Sequence, residues 1–369
     1  MADLVLSNEP RSDDSTEELP PLSNLELVEL VDKLVFLYAQ QSIPFMIIRD
    51  RANSFPPYSW PHFTEDPTYY RDYMRDNFLY FHMDGYDEPL GYIHKRFFHQ
   101  MDWGECWTVD NAKNRLTLFP SSNDFASRTQ LMYMILRKTH DSGQVDLLRG
   151  KPWEHEAYPV YSAKGEHVMD INVCGLDIFG VLHHTVHLTA TVYREAKPRC
   201  MLMAPKWSTG EGERDFLYDS TVSGRVAPGE LPIQALLRRC AEDGLHFGGP
   251  SYFLRRLNTA GTNSFQMWIN DDGVPLVFHR EIQYLFEVEI PEEIIPIGHS
   301  DFSPAPVVVP HLITLMQLRE AMANRSVKPS SSMAYMAWLI RHGMLTPMHE
   351  PDLPAICMHL NRRQDLFVA

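Results

Sequence analysis

The chain has 369 residues, 44% of them hydrophobic and 11% aromatic, and a net charge of −15. That length suits two domains rather than one core, and the apolar content is too high for a disordered chain. The acidic balance, with no run of Lys or Arg, excludes a basic nucleic-acid footprint and opposes binding to anionic membranes, but a local metal or basic pocket can still recruit a small anionic substrate.

Five cysteines, Cys106, Cys174, Cys200, Cys240 and Cys357, are widely spaced and form no CxxC pair. They read as reduced, buried thiols of a cytoplasmic protein. The N-terminus lacks the basic and apolar regions of a secretory signal, and no stretch reaches the roughly 18 apolar residues of a membrane span.

Residues 1–22 are acidic, Ser-rich and closed by Pro20 and Pro21, the composition of a flexible tail. A helix is expected next, capped by Ser23 or Asn24, with Leu27, Leu30, Val31, Leu34, Val35 and Tyr38 at helical spacing. The Pro- and aromatic-rich stretch over 54–93 reads as an irregular, aromatic-packed surface or as the lining of a pocket for a flat ligand. "WGECWTVDNAKNRLTLFP" predicts a hairpin, and "SNDFASRTQLMYMILRKTHDSG" a helix capped by Asn123 or Asp124 and ended by Gly143. "EAYPVYSAKGEHVMDINVC" predicts a second hairpin turning at Lys164-Gly165. These elements form an α+β unit over 23–182.

From His183 the pattern changes. Val186, Leu188, Ala190 and Val192 alternate with polar residues, as in a half-buried strand. His183 and His187 then stand about 13 Å apart on one face, too far for a zinc pair, and read as structural residues. "PRCMLMAPK", "SYFLRRL", "SFQMWIN" and "EIQYLFEVEI" predict strands, and "LITLMQLREAMANRS" and "SSSMAYMAWLIRHGML" predict helices, with His342 a partner of the second helix's dipole. The order implies a second unit over 183–369, a mixed sheet flanked by helices.

Chemistry concentrates in "GRVAPGELPIQALLRRCAEDGL", Gly224 to Leu245. On the predicted helix Arg239, Glu242 and Asp243 fall at i, i+3 and i+4 and share one face. Carboxylates on one helical face suit Mg²⁺ or Mn²⁺. The preceding loop can bend so that Glu230 meets Arg238.

This stretch resembles a Nudix box, G-x5-E-x7-R-E-U-x-E-E-x-G-U, in which U is bulky and apolar. Gly224, Glu230 and Arg238 keep its spacing, and Cys240 takes the apolar position. The wider chain, about 85–365, resembles a fungal and plant Nudix subgroup related to the Nudix part of thiamin pyrophosphokinase, with its preceding domain of unassigned function. "GYIHKRFFHQMDWGECWTVD", "LLRGKPWEHEAYPVY" and "IFGVLHHTVHLTATVY" carry that likeness for the first unit and the junction, and "SMAYMAWLIRHGMLTPMHEPDLPAICMHLNRR" for the C-terminal helices. The resemblance implies an α+β, α/β/α-sandwich fold and a Mg²⁺- or Mn²⁺-dependent hydrolase of an organic diphosphate, of thiamin-diphosphate type or another small metabolite. It also implies metal binding by Glu242 and Asp243, a structural pair of Glu230 and Arg238, and a phosphate contact from Lys206.

Three departures stand against that chemistry. Arg239 replaces a metal-binding glutamate, and a guanidinium cannot bind a cation. "GL" follows Asp243 one residue early, and Asp243 is one methylene shorter than Glu. The acidic run expected before the last helices is replaced by "HSDFSPAPVVVPHLITL", with His299, Asp301 and His311. Three readings follow: a hydrolase with weakened or altered metal dependence, a metal-independent isomerase, cyclase or lyase of fungal metabolite biosynthesis using Arg239 to hold an anion or carbonyl, and a non-catalytic ligand-binding protein. Each takes a small molecule as partner, and the substrate pocket is expected between the two units, near Tyr69 to Tyr86.

Overall fold

The computed structural model describes residues 21–33, 36–37, 67–150, 152–193, 200–206, 217–271, 274–294 and 311–362. The expected tail up to residue 20, Leu34, Val35, Tyr38, residues 54–66 and His299 lie outside them. The protein is α+β, with mixed sheets flanked by helices. No helix among the described residues is long and apolar enough to cross a membrane.

The first unit is built on a four-stranded sheet in the order β3-β2-β5-β4: β2 (Phe78–Met83), β3 (Gly91–His94), β4 (Trp107–Asp110) and β5 (Arg115–Leu118). Helix α2 (Pro67–Asn77) leads into β2, and α3 (Lys95–Gln100) follows β3. Over 67–94 the chain is therefore not an irregular surface. It is a helix and two strands, because Phe78, Leu79, Phe81 and Met83 are buried where the polar-looking "RDNFLYFHMDG" context hid a strand. Helix α4 (Phe125–Ser142) starts at Asp124, whose side chain accepts the Ser127 N–H, and ends at Gly143 in the left-handed region (φ 62°). β6 (Ala157–Tyr161) and β7 (His167–Asn172) form the second hairpin.

The second unit has an eight-stranded mixed sheet. Its centre is β8 (Leu182–Tyr193) and β13 (Val274–Pro291), which run parallel over 12 residue pairs, from Leu182–Arg280 to Tyr193–Pro291. β12 (Asn258–Asp271) pairs antiparallel with β13 and parallel with β1 (Phe36–Leu37). The other edge of β8 is shared by β11 (Val222–Arg225) and β9 (Cys200–Lys206), with β10 (Leu217–Asp219) and β14 (His311–Thr314) beyond. Helices α5 (Pro232–Glu242) and α6 (Pro250–Arg256) cover one face, where Val186, Leu188, Ala190 and Val192 meet Leu236 and Phe253. "SYFLRRL" is thus helical rather than a strand. Pro250 sits at its first position, where the missing N–H costs nothing.

Helices α7 (Leu315–Ala323), α8 (Pro329–Arg341) and α9 (Leu353–Leu360) share a core with β12 and β13 on the other face. Helix α1 (Asn24–Lys33) joins them. Ser23 and Glu26 cap it reciprocally, Ser23 Oγ accepting the Glu26 N–H at 3.2 Å and Glu26 Oε2 the Ser23 N–H at 2.8 Å. Its Leu27 and Val28 pack with Phe265, Trp338 and Ile356 of the second unit. In turn Val277 of β13 lies in the core of the first.

Strand β8 is consequently covered on both faces, not one. His183, Thr185, His187, Thr189 and Thr191 are all buried. Buried polar groups need partners: Thr185 donates to Glu281 of β13, and His187 lies against Gln283 of β13 and Ser220.

Candidate functional site

The box begins at β11. Gly224 pairs with Val186, and a Cβ on Gly224 would lie 2.3 Å from Arg239 Cγ, so glycine lets the arginine stem lie flat against the strand. The loop returns as expected: Arg238 Nε and Nη2 donate to the two oxygens of Glu230 at 2.9 and 3.0 Å. Arg238 Nη2 also donates to the Arg225 carbonyl at 2.9 Å, and Glu230 Oε2 accepts the Ala227 N–H. Arg238 binds Glu230 bidentately and fastens loop to helix. That bond is the first cause holding the Glu230 carboxyl below its ordinary range.

Arg239 lies across the remaining acids. Its Nη1 donates to Glu242 at 2.7 Å, its Nη2 to Asp243 at 3.0 Å and its Nε to the Ser223 carbonyl at 3.1 Å. Arg238 Nη1 reaches the other Glu242 oxygen at 3.1 Å. Both Glu242 oxygens thus face guanidinium groups. Burial raises the Asp243 carboxyl, against the pull of Arg239. A divalent cation here would meet two fixed positive charges and carboxylates already in use, so these residues do not fit Mg²⁺ or Mn²⁺.

Of the other expected residues, Lys206 ends β9 opposite Leu217. His311 is exposed at the start of β14, edge-on to Tyr218. His311 has no hydrogen bond or ion pair to the box carboxylates among the described residues. His342 caps α8 and stacks on Trp338, with its Nε2 2.8 Å from Glu287.

A second polar region runs inside the protein, along the odd-numbered face of β8 and β13. It starts at the junction. Asp177, which follows the 3₁₀ turn Val173–Gly175, brings its Oδ1 to 3.1 Å from His279 Nδ1 and 3.4 Å from His183 Nε2. The two imidazole centroids are 4.0 Å apart. His279 Nε2 sits 3.0 Å from Glu281 Oε2, and the other Glu281 oxygen accepts from Thr185 at 2.6 Å. Glu281 Oε1 is 3.6 Å from His187, whose Nδ1 contacts Ser220 at 2.8 Å. Gln283 donates to the Ser330 carbonyl at 2.8 Å.

The seam ends at Asp219. Its carboxylate accepts from Ser331, from the Ser220 N–H at 2.7 Å and from Ser223 at 3.0 Å, with Lys328 Nζ at 3.3 Å. Ser223 in turn offers its carbonyl to Arg239, which ties the seam to the box.

Charges in the seam alternate. Burial would lower His279, but Asp177 and Glu281 on either side raise it to about 9. Burial and the neighbouring charge of His279 lower His183 to about 4. Burial would raise Asp177 and Glu281, yet the histidines beside them hold both well below the usual carboxylate range. Burial likewise acts against the Asp219 carboxylate, and Lys328 and Ser331 outweigh it, holding the group near 2.

Sequence reasoning set His183 and His187 aside because i and i+4 on a strand cannot share a ligand. The separation argument stands, but the two histidines meet different residues: His183 meets Asp177 and His279, and His187 meets Ser220, Glu281 and Gln283. His279, Glu281 and Gln283, at i, i+2 and i+4, carried the signal: a strand with one wholly polar face. Asp177 had none.

Residues 66–183 match a family described as a domain of unknown function, DUF4743. Among curated proteins the chain is 21% identical over 287 residues to the uncharacterized protein YJR142W of Saccharomyces cerevisiae, covering 74% of this chain and 80% of that one. Among solved structures it is similar to DR0079 from Deinococcus radiodurans (15% identity, TM-score 0.33), over 50% of this chain and 98% of that one. It is also similar to a NUDIX hydrolase from Nitrosomonas europaea (14% identity, TM-score 0.29), over 44% and 95%.

Proposed function

We propose that this chain is a Nudix-like enzyme that acts on a small organic anion without a divalent cation on its box helix. The observation that supports it best is Arg239, which occupies the position of a metal-binding glutamate and bridges Glu242 and Asp243. A guanidinium has five N–H donors, and Ser223, Glu242 and Asp243 use three of them. The side chain is 32% exposed, so an anionic or carbonyl oxygen can reach it. Glu242, 43% exposed at the same place, is the carboxylate nearest such a ligand and the candidate proton acceptor.

The diphosphate-hydrolase reading has the kept spacing of Gly224, Glu230 and Arg238 in its favour, together with the Glu230–Arg238 pair. It requires Arg239 to leave both acids and a metal to take its place.

The test is Mg²⁺ titration calorimetry on the wild-type chain and on Arg239→Glu, with turnover of organic diphosphates measured with and without added Mg²⁺. No Mg²⁺ binding by wild type, with sub-millimolar binding by Arg239→Glu, is the expected result. Sub-millimolar binding by wild type with Mg²⁺-dependent release of phosphate would overturn the proposal in favour of the hydrolase. Tight binding of an anionic metabolite without turnover would overturn it in favour of a binding protein.

A further inference from the structure

The junction cluster has the chemistry of a metal site separate from the box. One donor atom each of Asp177, His183 and His279 lies within 4.8 Å of the other two. Bonds of about 2.1 Å at tetrahedral angles place donor atoms about 3.4 Å apart. The Asp177–His279 and Asp177–His183 separations, 3.1 and 3.4 Å, are of that size.

Two further observations single out a ligand. His183 is 5% exposed, and its Nε2 has no hydrogen-bond partner among the described residues. It is close enough to Asp177 for an ion pair but is not aligned for a hydrogen bond. A buried ring nitrogen aimed at a carboxylate and left unbonded costs free energy that a ligand bond would recover. His279 presents Nδ1 to the cluster while its Nε2 faces Glu281, which is itself held by Thr185. Metal-bound histidines are ordinarily oriented this way, with the second ring nitrogen donating to a carboxylate.

We propose that Asp177, His183 and His279 bind a divalent transition-metal ion of the zinc and iron(II) class, at the point where the first unit meets the sheet of the second. Two imidazoles and one carboxylate select such an ion over Mg²⁺ or Ca²⁺, which take all-oxygen sites. The ion replaces the proton that His279 Nδ1 shares with Asp177, so binding releases a proton. Three protein ligands leave one or more coordination positions for water or substrate. The site stands on these residues alone and does not depend on how the box is read.

The experiment uses the full chain, freed of metal with a chelator and titrated with Zn²⁺ by calorimetry. Wild type, His183→Ala, Asp177→Asn and Arg239→Glu are compared, with circular dichroism confirming that each is folded. One equivalent is expected to bind wild type, the same equivalent to bind Arg239→Glu with equal affinity beside a second one on its box carboxylates, and His183→Ala and Asp177→Asn to bind at least tenfold more weakly. X-ray absorption of the Zn²⁺-loaded wild type reads the site without any variant, and two imidazole ligands at about 2.0 Å are expected. No saturable Zn²⁺ binding, unchanged affinity in both His183→Ala and Asp177→Asn, or a ligand shell without histidine would each overturn the site and leave the cluster as a structural ion triad.

Discussion

The box helix and the junction cluster each bring acids and cations together, yet they handle charge in opposite ways. On the helix, Arg238 and Arg239 meet Glu230, Glu242 and Asp243 near solvent, within one loop and one turn of the chain. Water screens those pairs, and each is worth about 0–1 kcal/mol. At the junction, Asp177 and His183 meet His279 and Glu281 from about a hundred residues further along the chain, and the four are largely shielded from water. Buried charges of that kind are costly unless each is answered, and removing one partner is far more disruptive than its own contact implies. A conspicuous motif can therefore mark the milder chemistry, and an inconspicuous strand the stronger.

Glu281→Ala tests this difference most severely. It leaves His279 and His187 without their shared carboxylate, and a loss of about 3–5 kcal/mol is expected by urea unfolding of the metal-free protein. A loss below about 1 kcal/mol would place the cluster in the same class as the box. Asp219→Asn should cost about 1–3 kcal/mol, because Lys328 and Ser331 lose a charged acceptor.

The same carboxylate sets a pH dependence. Its folded value, near 2, lies below the ordinary 3.8, so its contribution is present above about pH 4 and is lost as the pH falls through 2. Acid unfolding followed by circular dichroism should show a shallower limb in Asp219→Asn than in wild type.

On the box, Gly224→Ala should push Arg239 off the strand, since its Cγ and Cδ would lie 2.3 and 2.5 Å from the new Cβ. Because the obstacle is a flexible stem, the expected cost is about 1 kcal/mol or less. The accompanying sign is a new route to Mg²⁺ for Glu242 and Asp243, measured by calorimetry. Arg239→Ala is the smallest step, below about 1 kcal/mol in thermal unfolding, and it shrinks further at high salt.

Much of the fold could be read from local pattern. Asp124 and Gly143 mark the ends of α4, and the Lys164-Gly165 turn marks the second hairpin, because capping and turn geometry depend on adjacent residues. The Glu230–Arg238 pair was equally readable, since a loop and one helix contain it. "SYFLRRL" was misread because seven residues are too few to separate a helical from an extended period. The junction was not readable for a different reason. Asp177 has no periodicity, and its meeting with His279 depends on the register of a parallel pair that no local rule sets.

Helix α1 has its own consequence for how the molecule is made. Its Leu27 and Val28 settle against residues of α8 and α9, so nearly the whole chain separates it from its partners. During synthesis, vectorial and N-terminal first, this helix emerges before its partners and waits with Leu27 and Val28 uncovered. The central parallel pair is also completed late, because β8 cannot find β13 until about a hundred further residues have been added. The first unit lacks Val277 from its core until then. Both closures thus wait for segments far downstream, and a chain interrupted before α9 leaves Leu27 and Val28 as an adhesive surface for any neighbour.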